Sequence, residues 1–218
     1  LIQDGKGSRE KISHNLGLGT ELYLSSKSTL YVNGTYQIKE SNNEDRNDFL
    51  IFSDINDLSS KEEYFRENTK KDSGNNIDLN LGYELSFIPR QKVLSVDFSY
   101  SNNSSDEVGI FNEFENTGRT FDYIERNDIG GGFQFYSGQL DYIDRIGEKW
   151  KLETGVKSTQ RTVRSDFRAF TNSSVSDGLL LDASRSNDFE YKETIMAGYA
   201  IVGRSLGKVG VQLGLRAE

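Results

Sequence analysis

The feature that most constrains this chain is an alternation of apolar and polar residues with a period of two. Its clearest instance is Ile77–Phe87, where every odd position is apolar or aromatic and every even position is polar, charged or glycine. Successive side chains of a β-strand point to opposite faces of a sheet, so this segment has one apolar and one polar face. The pattern predicts a strand rather than a helix.

The same alternation recurs along the chain and predicts an all-β fold of about ten antiparallel, up-and-down strands. Further residues predicted to share apolar faces are Leu16, Leu18, Leu22 and Leu24; Leu94, Val96, Phe98 and Tyr100; Trp150, Leu152, Thr154 and Val156; Ile195, Ala197, Tyr199 and Ile201; and Val209, Val211, Leu213, Leu215 and Ala217. Helix signals are scarce by comparison.

The connections between these segments are of two kinds. Tight turns are predicted at residues 25–28, 89–91, 146–148 and 204–207, and Pro89, the one proline, lies in the second of them. Longer polar connections are predicted at residues 41–47, 102 to about 127, and 171–187, which are rich in Asn, Ser, Asp and Glu. Short turns at one end and long polar loops at the other are typical of a transmembrane β-barrel of the outer membrane.

Three further features favour a membrane barrel over a soluble sheet. Charged residues lie within the polar faces of the predicted strands: Glu21, Asp78, Glu84, Asp97, Lys151, Glu153 and Arg216. The segments 29–40 and 150–168 run without a turn, although strands in soluble proteins average about 5–6 residues. Aromatic residues gather near the tight turns, as in an interfacial girdle: Phe87, Tyr142, Trp150 and Tyr199.

Composition excludes several other classes of protein. No run of about 18 apolar residues exists, so membrane-spanning helices are excluded, and a spanning chain would have to form a closed sheet. The net charge of -8 argues against a nucleic-acid partner. The chain has no cysteine and a single histidine, His14, to which we assign no role. We therefore predict no enzymatic activity, with no catalytic residue, cofactor or metal centre.

Several segments resemble TonB-dependent outer-membrane receptors of the Bacteroidetes type. They are Gln139–Tyr142, Trp150–Lys157, Glu190–Ala200 and Lys208–Glu218, and the resemblance covers the chain from about residue 14 to residue 218. It implies a barrel of about 22 strands in the bacterial outer membrane. It also implies a separate N-terminal plug and a TonB-type energy-coupling protein of the inner membrane as partners, besides the lipid of the outer membrane.

We expect residues 1–218 to form a single region, which is an arc of a larger barrel domain. The sequence shows neither a plug-like domain nor a signal peptide nor an energy-coupling box. The resemblance implies that the whole receptor takes up a nutrient, but neither the nutrient nor the residues that bind it can be predicted.

Two other interpretations compete with a receptor barrel. One is a soluble all-β binding module, such as a sandwich that recognises glycans through exposed aromatic side chains. The other is a small closed barrel of about ten strands that acts as a surface protease or adhesin.

Four local patterns have both a chemical and a plain structural interpretation. Gly17–Gly19 lacks the third glycine of a phosphate loop, and Gly130–Gly132 is predicted to be a flexible connection that leads into a strand. The pairs Glu190 and Glu193, or Glu21 and Glu153, would serve a glycosidase only at a separation of about 5–9 Å. A calcium site is weighed against a solvated loop at Asn42, Asn43, Glu44, Asp45 and Asp48, and the solvated loop is preferred.

Overall fold

The computed structural model describes residues 2–52, 61–88, 91–115, 121–172 and 178–218, which form one antiparallel sheet of eight strands. The strands are β1 (Ile2–Ser25), β2 (Ser28–Phe52), β3 (Lys61–Ile88), β4 (Lys92–Glu115), β5 (Phe121–Ile146), β6 (Trp150–Thr171), β7 (Leu180–Leu206) and β8 (Val209–Ala217). Each strand pairs with the next one in the sequence. The up-and-down all-β fold is therefore confirmed, with eight strands in the described ranges instead of about ten.

The first seven strands are much longer than a bilayer requires. They contain 22 to 28 residues each, which corresponds to roughly 70–90 Å at about 3.3 Å per residue. A tilted spanning strand needs only about 9–11 residues. The predicted long strands are confirmed. We call residues 14–38, 77–88, 91–102, 134–160 and 194–217 the turn half of the sheet, and the remaining described strand residues the distal half.

Tight turns join the strands at one end of the sheet. Residues 26–27, 147–149 and 207–208 connect β1 to β2, β5 to β6, and β7 to β8. Gly147 and Gly207 have φ angles of 65° and 64°, in the left-handed region that favours glycine. These turns confirm three of the four predicted positions within one to three residues. Pro89 and Arg90, in the fourth, lie outside the described residues.

The predicted long polar loops were largely wrong. Residues 41–47 lie within β2 and pair with both β1 and β3, while residues 102–115 and 121–127 lie within β4 and β5. The strands are joined at this end through residues 53–60, 116–120 and 172–179, of which 53–60, 116–120 and 173–177 are not described. Polar composition misled the prediction because the sheet is held by backbone hydrogen bonds, which do not require an apolar face.

The sheet is a single layer without a packed interior. Among the described residues, Phe114 and Ala169 are the only buried hydrophobic side chains, and no large side chain is fully buried. A sandwich would bury apolar side chains between two layers. β1 and β8 form the two edges and do not pair with each other in the described ranges, so these eight strands do not close into a small barrel. The same ranges contain no helix that is long and apolar enough to span a membrane.

Candidate functional site

One face of the turn half is a continuous exposed apolar surface. The register places Val32 and Phe98 on either side of Leu81, and it places Leu140 between Val96 and Val156. Leu18, Leu213 and Leu215 are 74%, 74% and 78% exposed. We call this surface the apolar face; a contiguous apolar surface of this extent needs an apolar environment, and hydrocarbon supplies it for a sheet.

The prediction for β7 had the wrong parity. The apolar face receives Ala200 and Val202, which lie opposite Thr154 and Leu152, whereas Tyr199 lies opposite Gly155 on the other face. Residues 195–202 are all apolar, aromatic or glycine, so alternation cannot show which set faces which side. The pairing of β7 with β6 shows which set lies on the apolar face. The predicted apolar faces of the segments in β1, β3, β4, β6 and β8 are confirmed by the register.

Three of the four predicted girdle aromatics lie on the apolar face beside the tight turns. Phe87 and Trp150 are 47% and 44% exposed, and the Arg204 guanidinium lies 4.8 Å from the centroid of the Trp150 ring. Tyr142 donates a hydrogen bond to Asp144 at 3.1 Å. Tyr199 is the exception because it points to the opposite face. This placement fits aromatic and polar groups at a membrane–water boundary.

The opposite face, which we call the polar face, carries all the charges predicted within the strands. Asp78, for example, accepts hydrogen bonds from Thr35 at 3.3 Å and from Ser101 at 2.6 Å. Lys151 forms an ion pair with Glu153 on this face. The polar face is therefore lined by hydrogen-bonded and charged groups, as expected for a wall that faces water or protein.

The charges of the polar face are distributed unevenly over the turn half. On β1–β5 this face carries five carboxylates, which we call the acidic wall: Glu21, Asp78, Glu84, Asp97 and Asp141. Arg145, next to a turn, is the only basic residue on the same face of these strands in the described turn half. On β6–β8 the face instead carries Lys151, Lys157 and Arg216 against Glu153. The polar face of the turn half is therefore acidic on β1–β5 and mainly basic on β6–β8.

A joint across three strands fixes part of the polar face. Tyr199 on β7 lies over Gly155 on β6 and donates a hydrogen bond to Asp141 on β5 at 2.5 Å. A Cβ atom at Gly155 would lie 2.6 Å from Cε1 of Tyr199 and 2.9 Å from the carbonyl oxygen of Leu140. Only glycine leaves room for the tyrosine ring here. This joint could not be predicted from the sequence, because the contact depends on the register of three strands.

The profile of the family described as "Outer membrane protein beta-barrel family" matches residues 85–218 of the chain. The chain belongs to this family. It is accordingly an outer-membrane β-barrel protein, located in the bacterial outer membrane. The soluble sandwich is therefore rejected. No curated protein matches the chain in sequence.

Solved structures similar to this family member are barrels of transporters and import receptors. The RagAB peptide transporter matches with a TM-score of 0.51 at 10% identity, over 97% of this chain and 30% of that chain. The ferric-catecholate import receptor Fiu from E. coli K12 matches with a TM-score of 0.48 at 10% identity, over 95% and 35% of the two chains. This chain thus spans about a third of their length. The match to the RagAB peptide transporter supports the all-β fold of antiparallel, up-and-down strands.

A patch of aromatic residues lies on the polar face, where the turn half meets the distal half. On the polar face of β5–β7, the register groups Phe133 and Phe135 with Tyr191 and Ile195 around Arg161. Arg161 pairs with Glu193 at 3.0 Å, and its guanidinium lies 6.0 Å from the centroid of the Tyr191 ring. Phe133 and Tyr191 remain 39% and 41% exposed. This aromatic patch faces the same side as the acidic wall.

The distal half contains a charged cluster that bridges three strands. Arg185 on β7 reaches over β6 and donates hydrogen bonds to both carboxylate oxygens of Glu125 on β5, at 2.9 and 2.7 Å. Tyr123 and Asn127 donate to the same carboxylate at 2.8 and 2.7 Å. These donors, with Arg185 first, lower the pKa of Glu125 to about 2. The carboxylate therefore stays ionised near neutral pH and holds the side chains of Arg185, Tyr123 and Asn127 together.

The register that lets Arg185 reach Glu125 is irregular. Asn187 lies opposite Phe167 and Asp182 lies opposite Ala169, so residues 183–186 bulge out of the ladder. The hydroxyl of Ser186 donates to the carbonyl oxygen of Asp182 at 2.7 Å and accepts a hydrogen bond from the Ala169 amide at 3.2 Å. A β-bulge changes the direction in which the side chains of its residues point, here including Arg185. Residues 171–187 were predicted to form a loop, so this cluster was not predicted from the sequence.

The structure does not bring together the residues of the glycosidase and calcium sites that were considered from the sequence. Glu190 and Glu193 lie on opposite faces of β7, and Glu21 and Glu153 lie five strands apart. The suggested calcium ligands between Asn42 and Asp48 alternate between the two faces of β2. No group of three His, Asp or Glu side chains in the described residues could hold a metal ion.

The two glycine patterns and His14 also lie within strands. Gly17 and Gly19 lie on the polar face of β1, where they form no loop, and His14 lies in β1 opposite Ile38. Gly130–Gly132 was predicted to be a flexible connection, which was wrong because it lies in the middle of β5. A Cβ atom at Gly131 would lie 2.9 Å from the carbonyl oxygen of Arg164. These glycines allow close approach of strands and leave a depression of about 410 Å³ beside Ser104 and Arg164.

Proposed function

We propose that the chain is an arc of the barrel of a TonB-dependent receptor, which takes up a nutrient across the outer membrane without acting on it as an enzyme. The observation that carries this proposal is the two-faced turn half. Its apolar face meets lipid, and its polar face is lined by charged, hydroxyl and amide groups, as a bore requires.

The edges of the sheet support an arc of a larger barrel. β1 is exposed along all 24 residues, and its outer backbone groups have no strand partner among the described residues. Unpaired backbone groups are too costly in hydrocarbon for an open edge to persist. Further strands of the same polypeptide would pair with β1 and β8 and close the barrel around a plug.

The polar face supports the presence of a plug. A barrel of about 22 strands encloses a wide lumen, which outer-membrane transporters fill with a plug. The joint of Tyr199 with Asp141 and the cluster of Arg185 with Glu125 give the wall a fixed shape against which a plug could pack. Energy for its movement would come from a TonB-type protein of the inner membrane.

Uptake measured in the native bacterium tests this function. Strains lacking either the full-length protein or the TonB-type coupling protein are compared on a panel of single limiting nutrients, with radiolabelled uptake for each nutrient that limits growth. We expect to find at least one nutrient whose uptake is abolished by each deletion. Uptake of that nutrient should recover when the deleted gene is restored. Uptake that depends on the protein but continues without the coupling protein would contradict the proposal, as would a deletion that affects no nutrient.

A further inference from the structure

The turn end of the sheet is basic, although the chain as a whole is acidic. Among the described residues that lie in a tight turn or within three positions of one, seven are basic and two are acidic, whereas the net charge of the whole chain is -8. Five of the basic residues belong to the neighbouring β5–β6 and β7–β8 turns: Arg145, Lys149, Lys151, Arg204 and Lys208. Positive charge is therefore concentrated at one end of the barrel wall.

These two turns lie side by side and enclose a depression. The amide of Ser205 donates a hydrogen bond to the carbonyl oxygen of Lys149 at 2.8 Å, which fixes one turn against the other. The depression has a volume of about 420 Å³, and its charged lining consists of four bases and one acid: Arg145, Lys149, Lys151, Arg204 and Glu148. It is therefore a positively charged recess.

Three of the four bases are available to an anion. Lys151 pairs with Glu153. In contrast, the side chains of Arg145, Lys149 and Arg204 form neither an ion pair nor a hydrogen bond with any described residue. Guanidinium and ammonium groups without a partner suit the oxygens of a phosphate, to which both donate charge-assisted hydrogen bonds.

The other side of the depression is apolar. Trp150 and Val211 line it, and both side chains are exposed. The Arg204 guanidinium lies over the Trp150 ring, which places it where the cationic and apolar parts meet. The register continues this apolar wall into three side chains that lie next to one another on the apolar face: Leu152, Val202 and Leu213. The cationic recess thus opens onto a surface for hydrocarbon, as expected at the headgroup level of a bilayer.

The ligand that matches both parts is a phospholipid with a net negative charge. A soluble phosphate would match the bases but would leave Trp150 and Val211 uncovered. A zwitterionic headgroup brings an ammonium group that the surplus of bases repels, whereas an anionic headgroup brings none. The short turns of a bacterial barrel lie on the periplasmic side, so the lipid belongs to the periplasmic leaflet. This inference rests on the proposed function, in which the apolar face meets lipid.

We infer that the β5–β6 and β7–β8 turns bind an anionic phospholipid of the periplasmic leaflet. Arg204 and Lys149 contact its phosphate, and Trp150 and Val211 contact the adjoining part of its acyl chains. Arg145 lies on the polar face and adds to the positive potential of the site without reaching the lipid. The bound lipid holds these two turns at the headgroup level of the membrane.

Photolabelling of the full-length protein tests this site. The protein is reconstituted in phosphatidylcholine vesicles with a trace of phosphatidylglycerol that carries a photoactivatable group beside its phosphate, and the adducts are located by mass spectrometry. We expect adducts to concentrate on residues 147–151 and 204–208 and to be displaced by unlabelled phosphatidylglycerol. Displacement by inorganic phosphate would identify a site for soluble anions, and equal adducts from a phosphatidylcholine probe would show unselective contact with lipid. Either result would overturn the inference.

A pair of charge-matched variants gives a second readout. Lys149→Gln with Arg204→Gln removes two positive charges from the depression, and Lys27→Gln with Arg9→Gln removes the same two kinds of side chain from exposed positions elsewhere. Barrel folding is checked by heat-modifiable mobility. Adducts at the two turns should fall about tenfold in the first variant, because each base near a membrane surface adds to the attraction of anionic lipid. The second variant should match the wild type, and equal adducts in both variants would refute the site.

A second probe separates this inference from the proposed function. Phosphatidylglycerol with the photoactivatable group at the end of an acyl chain should label the apolar face of the wild type and of both variants. If this probe labels the apolar face but headgroup adducts do not concentrate on the two turns, the phospholipid site alone is refuted. If the probe does not label the apolar face, contact of the barrel with lipid is refuted, and the proposed function fails with it.

Discussion

The turn half and the distal half of the sheet share the same strands but differ in the chemistry of one face. On β3, the odd positions from Ile77 to Phe87 are apolar or aromatic, whereas Thr69, Lys71, Ser73 and Asn75 occupy the same face in the distal half. The antiparallel register continues through both without a break in this region. Backbone pairing is therefore independent of the surroundings, and the side chains of one face alone record where the bilayer lies.

The two halves are also stabilised by different contacts. The apolar face of the turn half requires an apolar environment, while the distal half carries most of the cross-strand ion pairs among the described residues, such as Arg66 with Glu113 at 2.6 Å and Lys70 with Glu107 at 2.8 Å. Phe65 stacks on Phe114 with ring centroids 4.6 Å apart. Each such contact is small, so the distal half depends on many of them along seven long strands.

The strongest way to break this comparison is to place a charge on the same face of β3 in each half. Leu81→Arg puts a guanidinium into the hydrocarbon and should lower the free energy of unfolding by about 2–4 kcal/mol. Thr69→Arg on the same strand and face should change it by less than about 0.5 kcal/mol. Urea unfolding of the protein in lipid vesicles measures both, and equal effects would refute the assignment of the two halves.

A second test concerns the joint on the polar face of the turn half. Gly155→Ala should lower the free energy of unfolding by about 1–3 kcal/mol because the added methyl group overpacks the space under Tyr199. Gly17→Ala is the matched control, since a Cβ atom there meets only Cγ2 of Thr35 at 3.6 Å. If both variants unfold at the same urea concentration, the close packing of Tyr199 over Gly155 is disproved.

A third test addresses the cluster of the distal half. Glu125→Gln removes the charge that Arg185 contacts and should lower the free energy of unfolding by about 1–2 kcal/mol at neutral pH. The folded-state pKa of Glu125 is about 2, below its ordinary value of 4.5. Its contribution is therefore complete above pH 4.5 and is lost as the pH falls towards 2. A difference between wild type and variant that persists at pH 2 would contradict this account.

The smallest effect is expected at an exposed ion pair of the distal half. Glu190 accepts a hydrogen bond from Arg164 at 2.6 Å and forms an ion pair with Lys192 at 2.7 Å, and all three side chains are exposed. Glu190→Gln should therefore leave the urea midpoint unchanged within error, because exposed pairs are screened by water and salt. A loss as large as that of Glu125→Gln would show that the distal half is stabilised by its exposed charges as well.

The sequence predicted the fold well where the two faces differ sharply. In β3, β4 and β8, strict alternation fixed both the strand and the direction of its side chains. The same signal disappeared in Ile195–Val202, where both parities are apolar, and in residues 41–47, where both are polar. Alternation reports a difference in side-chain polarity between the two faces of a strand, so it is silent where the side chains on both faces have the same polarity.

The functional surfaces were predicted only in part. The charges on the polar face could be placed because each one alternates with apolar neighbours along its own strand. The acidic wall as a set, the joint of Tyr199 with Asp141, and the contact of Arg185 with Glu125 each depend on the register of three or more strands. A single sequence does not contain that register, and the bulge at residues 183–186 shifts it further.

The most direct test of the two-faced sheet is a nitroxide scan along β3 in lipid bilayers. The chain has no cysteine, so single cysteines at successive positions from Thr69 to Phe87 can each be labelled without interference. We expect oxygen accessibility to peak at every second position from Ile77 to Phe87, with labels at even positions inaccessible to oxygen. Between Thr69 and Asn75, this two-residue oxygen pattern should vanish, and a water-soluble nickel reagent should reach the odd positions. Water accessibility of the odd positions from Ile77 to Phe87, or their protection from both reagents, would contradict contact of the apolar face with lipid.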